Sequence, residues 1–218
     1  LIITDDEALY GRCFAFHDQG HSPLRHGVEI GQRPFLGLDF RYTELQAAVL
    51  LGQIRKLPPM LDHLRANKKR FKAAIADLPG LDFREVIDPQ DEIGTILTVI
   101  LPTAEIAAQI AHDLGSTVVA GAGWHVYNNM EHLLEQRVVN PVGCSFSCPH
   151  YAERGGEIRY WKGMLPQTDE LLARAINISI GVPDPGLGAS FGVTVTDGPD
   201  VVDQRAAEFR RVASRYLS

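Results

Sequence analysis

The sequence of 218 residues is 45% apolar and 22% charged, a composition typical of a globular protein with one or two domains. Its formal net charge of −6 does not favour binding to nucleic acids or to anionic membrane surfaces. No apolar run approaches the ~20 residues that span a bilayer, and no signal-peptide pattern is present. We therefore expect a cytoplasmic globular protein.

Cysteine usage favours reduced thiols, because Cys13, Cys144 and Cys148 are an odd number in a chain without secretory signals. Cys144, Cys148 and His150 together suggest a zinc site. Their spacing is not that of a common zinc site, however, and a fourth ligand would have to come from elsewhere in the chain. We therefore expect loop cysteines and no metal.

The chain begins with a predicted strand and a predicted helix. Residues 1–4 have the apolar character of a buried strand, and Thr4 or Asp5 can cap a helix that runs to about Phe16. The polar connection over residues 19–36 is long, and loops of this length are often functional or mobile.

A second helix is predicted over residues 43–57, because Thr43 and Gln46 stand in the order of a capping box. Its alanines and Gly52 predict close packing against another backbone, and the prolines at 58 and 59 predict its end. The exposed polar turn before this helix is suited to hold an anion or a partner subunit.

A third helix is predicted over residues 59–78, where apolar side chains repeat at intervals of three and four residues. The opposite face of this helix is basic, and we interpret that face as exposed to solvent. The basic residues are Arg65, Lys68, Lys69, Arg70 and Lys72.

Beyond Gly80 the pattern changes to short apolar runs that alternate with helical segments. This mixed order predicts an α+β domain with a mainly antiparallel sheet. Strands are predicted at residues 81–86, 95–101, 116–120 and 176–180, and helices at residues 103–114, 168–175 and 200–216.

The stretch GLDFRYTELQAAV at residues 37–49 resembles the G-x-N-x-R-x-x-(D/E)-x-Q-A-A-(I/V) motif of the DegT/DnrJ/EryC1/StrS aminotransferases, pyridoxal-phosphate (PLP) enzymes that aminate keto-sugars. The opening LIITDDEALYGRCFAFHDQGH is similar to the segment that follows the G-E-G-G turn in the same family. The phrases HDQGH, WHVYNNMEHL and LPQTDELLARAINISI are most similar to the branch that aminates C8 of 3-deoxy-octulosonate. The matching motif residues are Gly37, Phe40, Arg41, Glu44, Gln46, Ala47 and Ala48.

This resemblance implies an α/β fold, the fold-type-I architecture of aspartate aminotransferase, in a homodimer with a shared active site. Residues 1–57 would be the C-terminal remnant of the PLP-binding large domain, and residues 58–218 the linking helix and the α+β small domain. We accordingly expect the chain to be the C-terminal part of a longer enzyme. The implied reaction moves an amino group from glutamate or glutamine to a keto-sugar.

The family carries its Schiff-base lysine in the large domain, so we expect this lysine upstream of Leu1 and assign no catalytic residue within residues 1–218. Four of the five lysines lie at the end of one predicted helix or on the charged face of another. Lys162 lies in a predicted loop and does not match the family's Schiff-base context. The segment alone is therefore expected to be inactive.

Two residues of the motif are expected to bind the cofactor, Asp39 and Arg41. In the family, an Asn stands at the position of Asp39 and binds the cofactor phosphate of the neighbouring subunit. The Arg at the position of Arg41 lies near the substrate. Arg41 carries over as a cofactor-binding and substrate-binding residue, because its planar fork suits a phosphate or a carboxylate. The alternative for Arg41 is a salt bridge to Glu44.

Asp39 departs from the family, because an ionised carboxylate accepts hydrogen bonds but donates none. A carboxylate ~4 Å from a phosphate is repelled by about 4 kcal/mol per charge pair at an effective dielectric constant of about 20. Asp39 is therefore expected to turn away, to pair with Arg41, or to reach the phosphate through a water molecule or another donor.

Four further residues are expected to line the sugar site: His17, His21, Trp124 and His125. His17 and His21 lie in the HDQGH run, where capping of the preceding helix is the alternative role. Trp124 and His125 follow a Gly-Ala-Gly turn that lets the backbone approach another group closely, and an ordinary half-buried tryptophan is the alternative.

Two other functions remain open for the whole protein. A sugar dehydratase of the same family would carry a histidine in place of the missing lysine. A regulatory or scaffolding member would keep the fold without the cofactor. An intact upstream lysine would distinguish the aminotransferase from both.

Overall fold

The computed structural model describes residues 2–18, 20–21, 23, 38–40, 42–88, 90–123, 125–137, 146 and 148–217. The chain divides into two compact units, Leu1–Leu57 and Pro58–Ser218. None of the helices within the described ranges has the length and apolar character needed to cross a membrane.

The first unit opens with helix α1, Glu7–His17. Its N-cap is Asp6, whose carboxylate accepts a hydrogen bond of 3.0 Å from the backbone N–H of Leu9. Asp6 therefore caps the helix in place of the predicted Thr4 or Asp5, and α1 ends within one residue of the prediction.

The predicted buried strand over residues 1–4 is wrong. Residues 2–4 form no strand, and Ile2 and Ile3 are 68% and 86% exposed. A strand needs a neighbour to satisfy its N–H and C=O groups, and the described part of the first unit places none beside these residues.

Helix α2, Glu44–Ile54, begins with the predicted capping box. The Thr43 hydroxyl accepts a hydrogen bond of 3.2 Å from the N–H of Gln46, and the Gln46 side chain accepts one of 2.9 Å from the N–H of Thr43. The predicted close packing is not found within this unit, because α2 has no buried residue. Its apolar side chains are exposed.

Helix α3, Leu57–Ile75, follows α2 after a turn at Arg55 and Lys56. Pro58 and Pro59 lie in the first turn of α3, where the missing N–H groups have no intrahelical acceptor to lose. The prolines therefore belong to the start of the third helix.

The second unit is built around a three-stranded antiparallel sheet, as the sequence predicts. Its strands are β1, Asp82–Phe83, β2, Ile96–Ile100, and β3, Ala175–Ser179, in the order β1-β2-β3. The central strand pairs antiparallel with both neighbours.

The predicted strand over residues 116–120 is wrong. A single bridge joins Val118 to Ile176, and a 3-10 turn, Val119–Gly121, follows at once. The N–H of Ser116 is bonded to the carbonyl of Ala111 at 2.8 Å, because the chain is still closing the preceding helix there. The chain consequently meets the sheet at one residue before it turns away.

Five further helices lie in the described part of the second unit. They are α4, Ala104–Asp113, α5, Glu131–Leu134, α6, Pro149–Glu153, α7, Pro166–Arg174, and α8, Pro199–Ala213. Apolar residues of α3, α4 and α8 join those of β2 and β3 in one buried cluster. Burial of this apolar surface is the main source of stability for the unit.

Two arginine–carboxylate pairs connect α3 and the turn after it to α8. Arg70 donates two hydrogen bonds of 2.6 Å to the two carboxylate oxygens of Asp203, which lowers the pKa of Asp203. Arg210 donates to the carbonyl of Ala74 at 2.8 Å and to the carboxylate of Asp77 at 3.0 Å. Bidentate pairs of this kind fix the relative orientation of two helices.

Candidate functional site

The turn before α2 pairs with the C-terminal end of α1. The N–H of Leu38 donates to the carbonyl of Phe16 at 2.7 Å, and the N–H of Phe40 donates to the carbonyl of His17 at 2.9 Å. An antiparallel bridge joins Asp18 to Asp39. The HDQGH run and the Asp39 turn, distant in sequence, are therefore neighbours in the first unit.

The end of α1 is shaped to receive this turn. The last carbonyls of a helix lack intrahelical donors, and the turn supplies two N–H groups for them. Gly20 has a φ of 85°, in the left-handed region that favours glycine, and its N–H bonds to the carbonyl of Ala15 at 2.7 Å. The chain reverses there, and the N–H of His21 bonds to the carbonyl of Asp18 at 2.9 Å.

The ring of His17 is held in one orientation. Its Nδ1 lies 2.8 Å from the carbonyl oxygen of Phe14, which accepts hydrogen bonds and cannot donate them. Nδ1 therefore carries the proton, and Nε2 is the acceptor whenever the ring is neutral. The Phe14 ring meets the imidazole edge-on, with the centroids 5.1 Å apart.

Asp39 lies on the exposed side of this turn. The ring of Phe40 approaches that of Phe16, with the centroids 6.1 Å apart, and supports the turn against α1. Arg41, the other predicted cofactor-binding residue, lies outside the described residues, as does Trp124 of the predicted sugar site. In the first unit the backbone thus places His17, His21 and Asp39 around Asp18.

His125 lies in the second unit, in a strained part of the backbone. Its φ is 59°, in the left-handed region that residues other than glycine rarely adopt, and its side chain is exposed. Strain of this kind persists where surrounding contacts enforce it, and it is concentrated at functional sites.

The segment just after His125 is held within the second unit by side-chain hydrogen bonds. In the 3-10 turn Tyr127–Asn129, the Tyr127 hydroxyl and the Asn128 amide each donate to a carboxylate oxygen of Asp169 at 2.8 Å. The N–H of Leu165 donates to the Tyr127 hydroxyl at 3.0 Å, and the N–H of Gly163 donates to the Asn128 side-chain oxygen at 3.0 Å.

Tyr127, Asn128 and Asp169 form a group that the sequence does not predict. The polar YNN run after His125 and the acidic residue early in α7 are visible in the sequence, but 41 residues separate Asn128 from Asp169. The network fixes the segment that carries His125 against the N-terminal end of α7.

Comparisons with known proteins place the chain among aminotransferases. The model of the DegT/DnrJ/EryC1/StrS aminotransferase family matches residues 1–136, which is more than half of the chain. Three solved structures with similar folds illustrate the likeness. An aminotransferase from Psychrobacter cryohalolentis is 19% identical, with a TM-score of 0.60, and the match covers 98% of this chain and 51% of that one.

The second structure is a 3-amino-5-hydroxybenzoic acid synthase, 14% identical with a TM-score of 0.58 over 98% of this chain and 49% of that one. The third is Spr1654 of Streptococcus pneumoniae, assigned as a sugar aminotransferase and solved in its PLP form. It is 14% identical, with a TM-score of 0.52 over 99% of this chain and 46% of that one. The chain therefore spans about half the length of the structures that it matches.

Proposed function

Because the chain belongs to the DegT/DnrJ/EryC1/StrS aminotransferase family, we propose that the whole protein is a PLP-dependent aminotransferase. The predicted family and the fold-type-I fold class are confirmed for the part that the chain covers. The proposed reaction moves an amino group from glutamate or glutamine to a keto-sugar. We place the enzyme in the cytoplasm, as a homodimer with a shared active site.

One structural observation supports a specific site for this function. The backbone pairing of residues 38–40 with the end of α1 sets Asp39 beside His17 and Asp18, within the stretch that the family model matches. In this proposal, residues 1–57 are the end of the large domain, and residues 58–218 are the linking helix and the small domain.

Neither Asp39 nor His17, two of the predicted site residues that the structure describes in the first unit, offers a free donor for the phosphate of PLP. The anion requires N–H or cationic donors, whereas the ionised Asp39 carboxylate offers acceptors only. The Nδ1–H of His17 is already bonded to the carbonyl of Phe14. Under this proposal, other residues of the whole enzyme supply the phosphate donors and the lysine that carries the cofactor.

The remaining residues have roles in recognition under this proposal. His17 and His21 face the sugar from the end of α1, with the orientation of the His17 ring set by its bond to Phe14. Trp124 and His125 contribute from the small domain. Arg41 binds a carboxylate or phosphate of the substrate or cofactor through its planar guanidinium group.

The proposal is tested on the full-length protein by borohydride reduction in the presence of PLP, followed by intact and peptide mass measurement. We expect one covalent adduct on a lysine upstream of Leu1, because reduction traps the linkage between that lysine and the cofactor. A parallel sample without borohydride serves as the control. A full-length protein that takes up no adduct would rule out the aminotransferase and leave the dehydratase or regulatory alternatives.

A further inference from the structure

A basic groove lies between α3 and the β1–β2 edge of the sheet in the second unit. Its volume is about 620 Å³. Five cationic and two acidic side chains line it, together with the apolar side chains of Phe83, Val86 and Leu97. The charged residues are Arg65, Lys68, Lys69, Lys72, Arg84, Glu85 and Glu92.

This concentration of cations is unusual in a chain whose formal net charge is −6. The basic face of α3 was expected to be exposed to solvent, and for Lys68 that expectation is wrong. Lys68 is one of the few buried charged residues among those described, with 8% of its surface exposed. Lysine is almost never buried to this extent unless it is paired, so the groove is a built feature and not a solvated helix face.

Glu92 contacts three of the cationic side chains that line the groove. Its carboxylate forms an ion pair with Lys68 and lies 3.7 Å from Nη2 of Arg84. The Nε of Arg65 donates to the backbone carbonyl of Glu92 at 2.6 Å. Burial lowers the pKa of Lys68, and the ion pair with Glu92 opposes that effect. Lys68 and Arg65 are thus held by one residue before any ligand arrives, whereas Arg84 lies at a longer distance from its carboxylate.

Two cations of the groove are left with weaker contacts and are suited to bind an anion. The ammonium group of Lys72 lies 4.7 Å from the centroid of the Phe83 ring, a cation–π contact that is modest at an exposed site. The side chain of Arg84 is 61% exposed. Both residues line the same cavity, whose wall includes the apolar side chains.

We propose that the basic groove binds a small phosphorylated molecule, with its phosphate held by Lys69, Lys72 and Arg84 and its apolar body against Phe83 and Val86. Cations exceed acidic groups in the lining, so an anion with more than one negative charge gains most from binding there. The apolar wall adds contact area for the rest of the molecule. This proposal does not rest on the transfer reaction proposed above.

The experiment uses the full-length protein loaded with its cofactor, so that the cofactor's own phosphate site is filled. Phenyl phosphate and inorganic phosphate are titrated by calorimetry. We expect saturable binding of phenyl phosphate, tighter than that of inorganic phosphate because of the apolar wall. We also expect the affinity to fall as the salt concentration rises, as for any exposed ionic contact.

The groove variant is the double substitution Lys72→Gln and Arg84→Gln. Both side chains are exposed, so the variant keeps the core of the unit. The matched control is Lys162→Gln with Arg211→Gln, which removes the same charge at two exposed positions that do not line the groove. We expect the groove variant to bind phenyl phosphate at least about tenfold more weakly, equivalent to the loss of about 1.4 kcal/mol, and the control to stay within about twofold.

A second measurement locates the ligand without reference to activity. Bound phenyl phosphate should slow the acetylation of Lys69 and Lys72, measured by peptide mass spectrometry, and leave Lys162 unaffected. Equal weakening in the groove and control variants, equal protection of all three lysines, or no binding to the unmodified protein would each overturn the proposal. Equal affinity for phenyl phosphate and inorganic phosphate would overturn the role given to Phe83 and Val86.

Discussion

At the scale of single residues, the proposed function assigns the charge at Asp39 a direct effect on how the turn before α2 faces the cofactor phosphate. The substitution Asp39→Asn removes a negative charge and adds an amide donor, and it restores the residue of the family motif. We expect the full-length protein to bind PLP at least about tenfold more tightly. Tenfold corresponds to about 1.4 kcal/mol, which is less than the repulsion of about 4 kcal/mol between two charges at ~4 Å. Equilibrium dialysis of the cofactor measures the change.

Asp39→Ala is the control for this prediction, because it removes the charge without adding a donor. Its affinity for PLP should lie between those of the natural protein and the Asn variant. If all three proteins hold PLP equally well, Asp39 is turned away from the phosphate in the assembled enzyme.

The burial of Lys68 is a feature of a single residue that the sequence does not predict. Periodicity places Lys68 on the polar face of α3, which is correct for its neighbours Lys69 and Arg70. Its burial depends on Glu92, which is 24 residues further along the chain and belongs to no helix or strand. No local pattern predicts a pairing of this kind, because it is set by the path of the connection between β1 and β2.

At the scale of secondary-structure elements, the contacts of Asp169 connect α7 to the segment that carries His125. We expect Asp169→Ala to release this segment, because charged hydrogen bonds of this kind contribute about 1.5–3 kcal/mol each. Hydrogen exchange by mass spectrometry should show about tenfold faster exchange or more over residues 163–165, where the N–H groups of Gly163 and Leu165 bond to Asn128 and Tyr127.

The neighbouring substitution Glu170→Ala provides the comparison for this prediction. Glu170 is exposed and makes one long ion pair, 3.9 Å from Arg174. Its removal should leave exchange over residues 163–165 unchanged. Equal exchange in the Asp169 and Glu170 variants would mean that the network does not hold the segment.

Helices and strands differ in how far the sequence predicts them. Helices α2 and α4 begin where Thr43 and Thr103 predict, because a cap and its helix lie within one turn of each other. Residues 1–4 and 116–120 have the composition of strands, but a strand forms only where a partner is available. The same limit holds for the site, since the bridge between Asp18 and Asp39 joins the two ends of the long polar connection, and no local pattern predicts it.

At the scale of the whole molecule, the two units differ in how well their apolar residues are covered. The large buried cluster belongs entirely to the second unit. In the first unit, Leu45, Val49 and Ile54 of α2 are 77%, 59% and 56% exposed. Exposed apolar surface of this kind drives association. We expect the 218-residue chain alone to self-associate, and residues 58–218 alone to be monomeric.

Analytical ultracentrifugation of both proteins, with thermal unfolding in parallel, tests this prediction. Residues 58–218 should unfold in one cooperative transition, because their core is complete. A monodisperse 218-residue monomer with a single cooperative transition would contradict it.

The pairing of α3 with α8 also has a consequence for synthesis on the ribosome. Arg70 and Asp203 are 133 residues apart, and both helices contribute to the same buried cluster. Nearly all of the second unit must therefore be translated before its core can close. During that interval Leu64, Phe71 and Ile75 of α3 lack the apolar residues of α8, so the nascent chain exposes apolar surface until α8 has been synthesised.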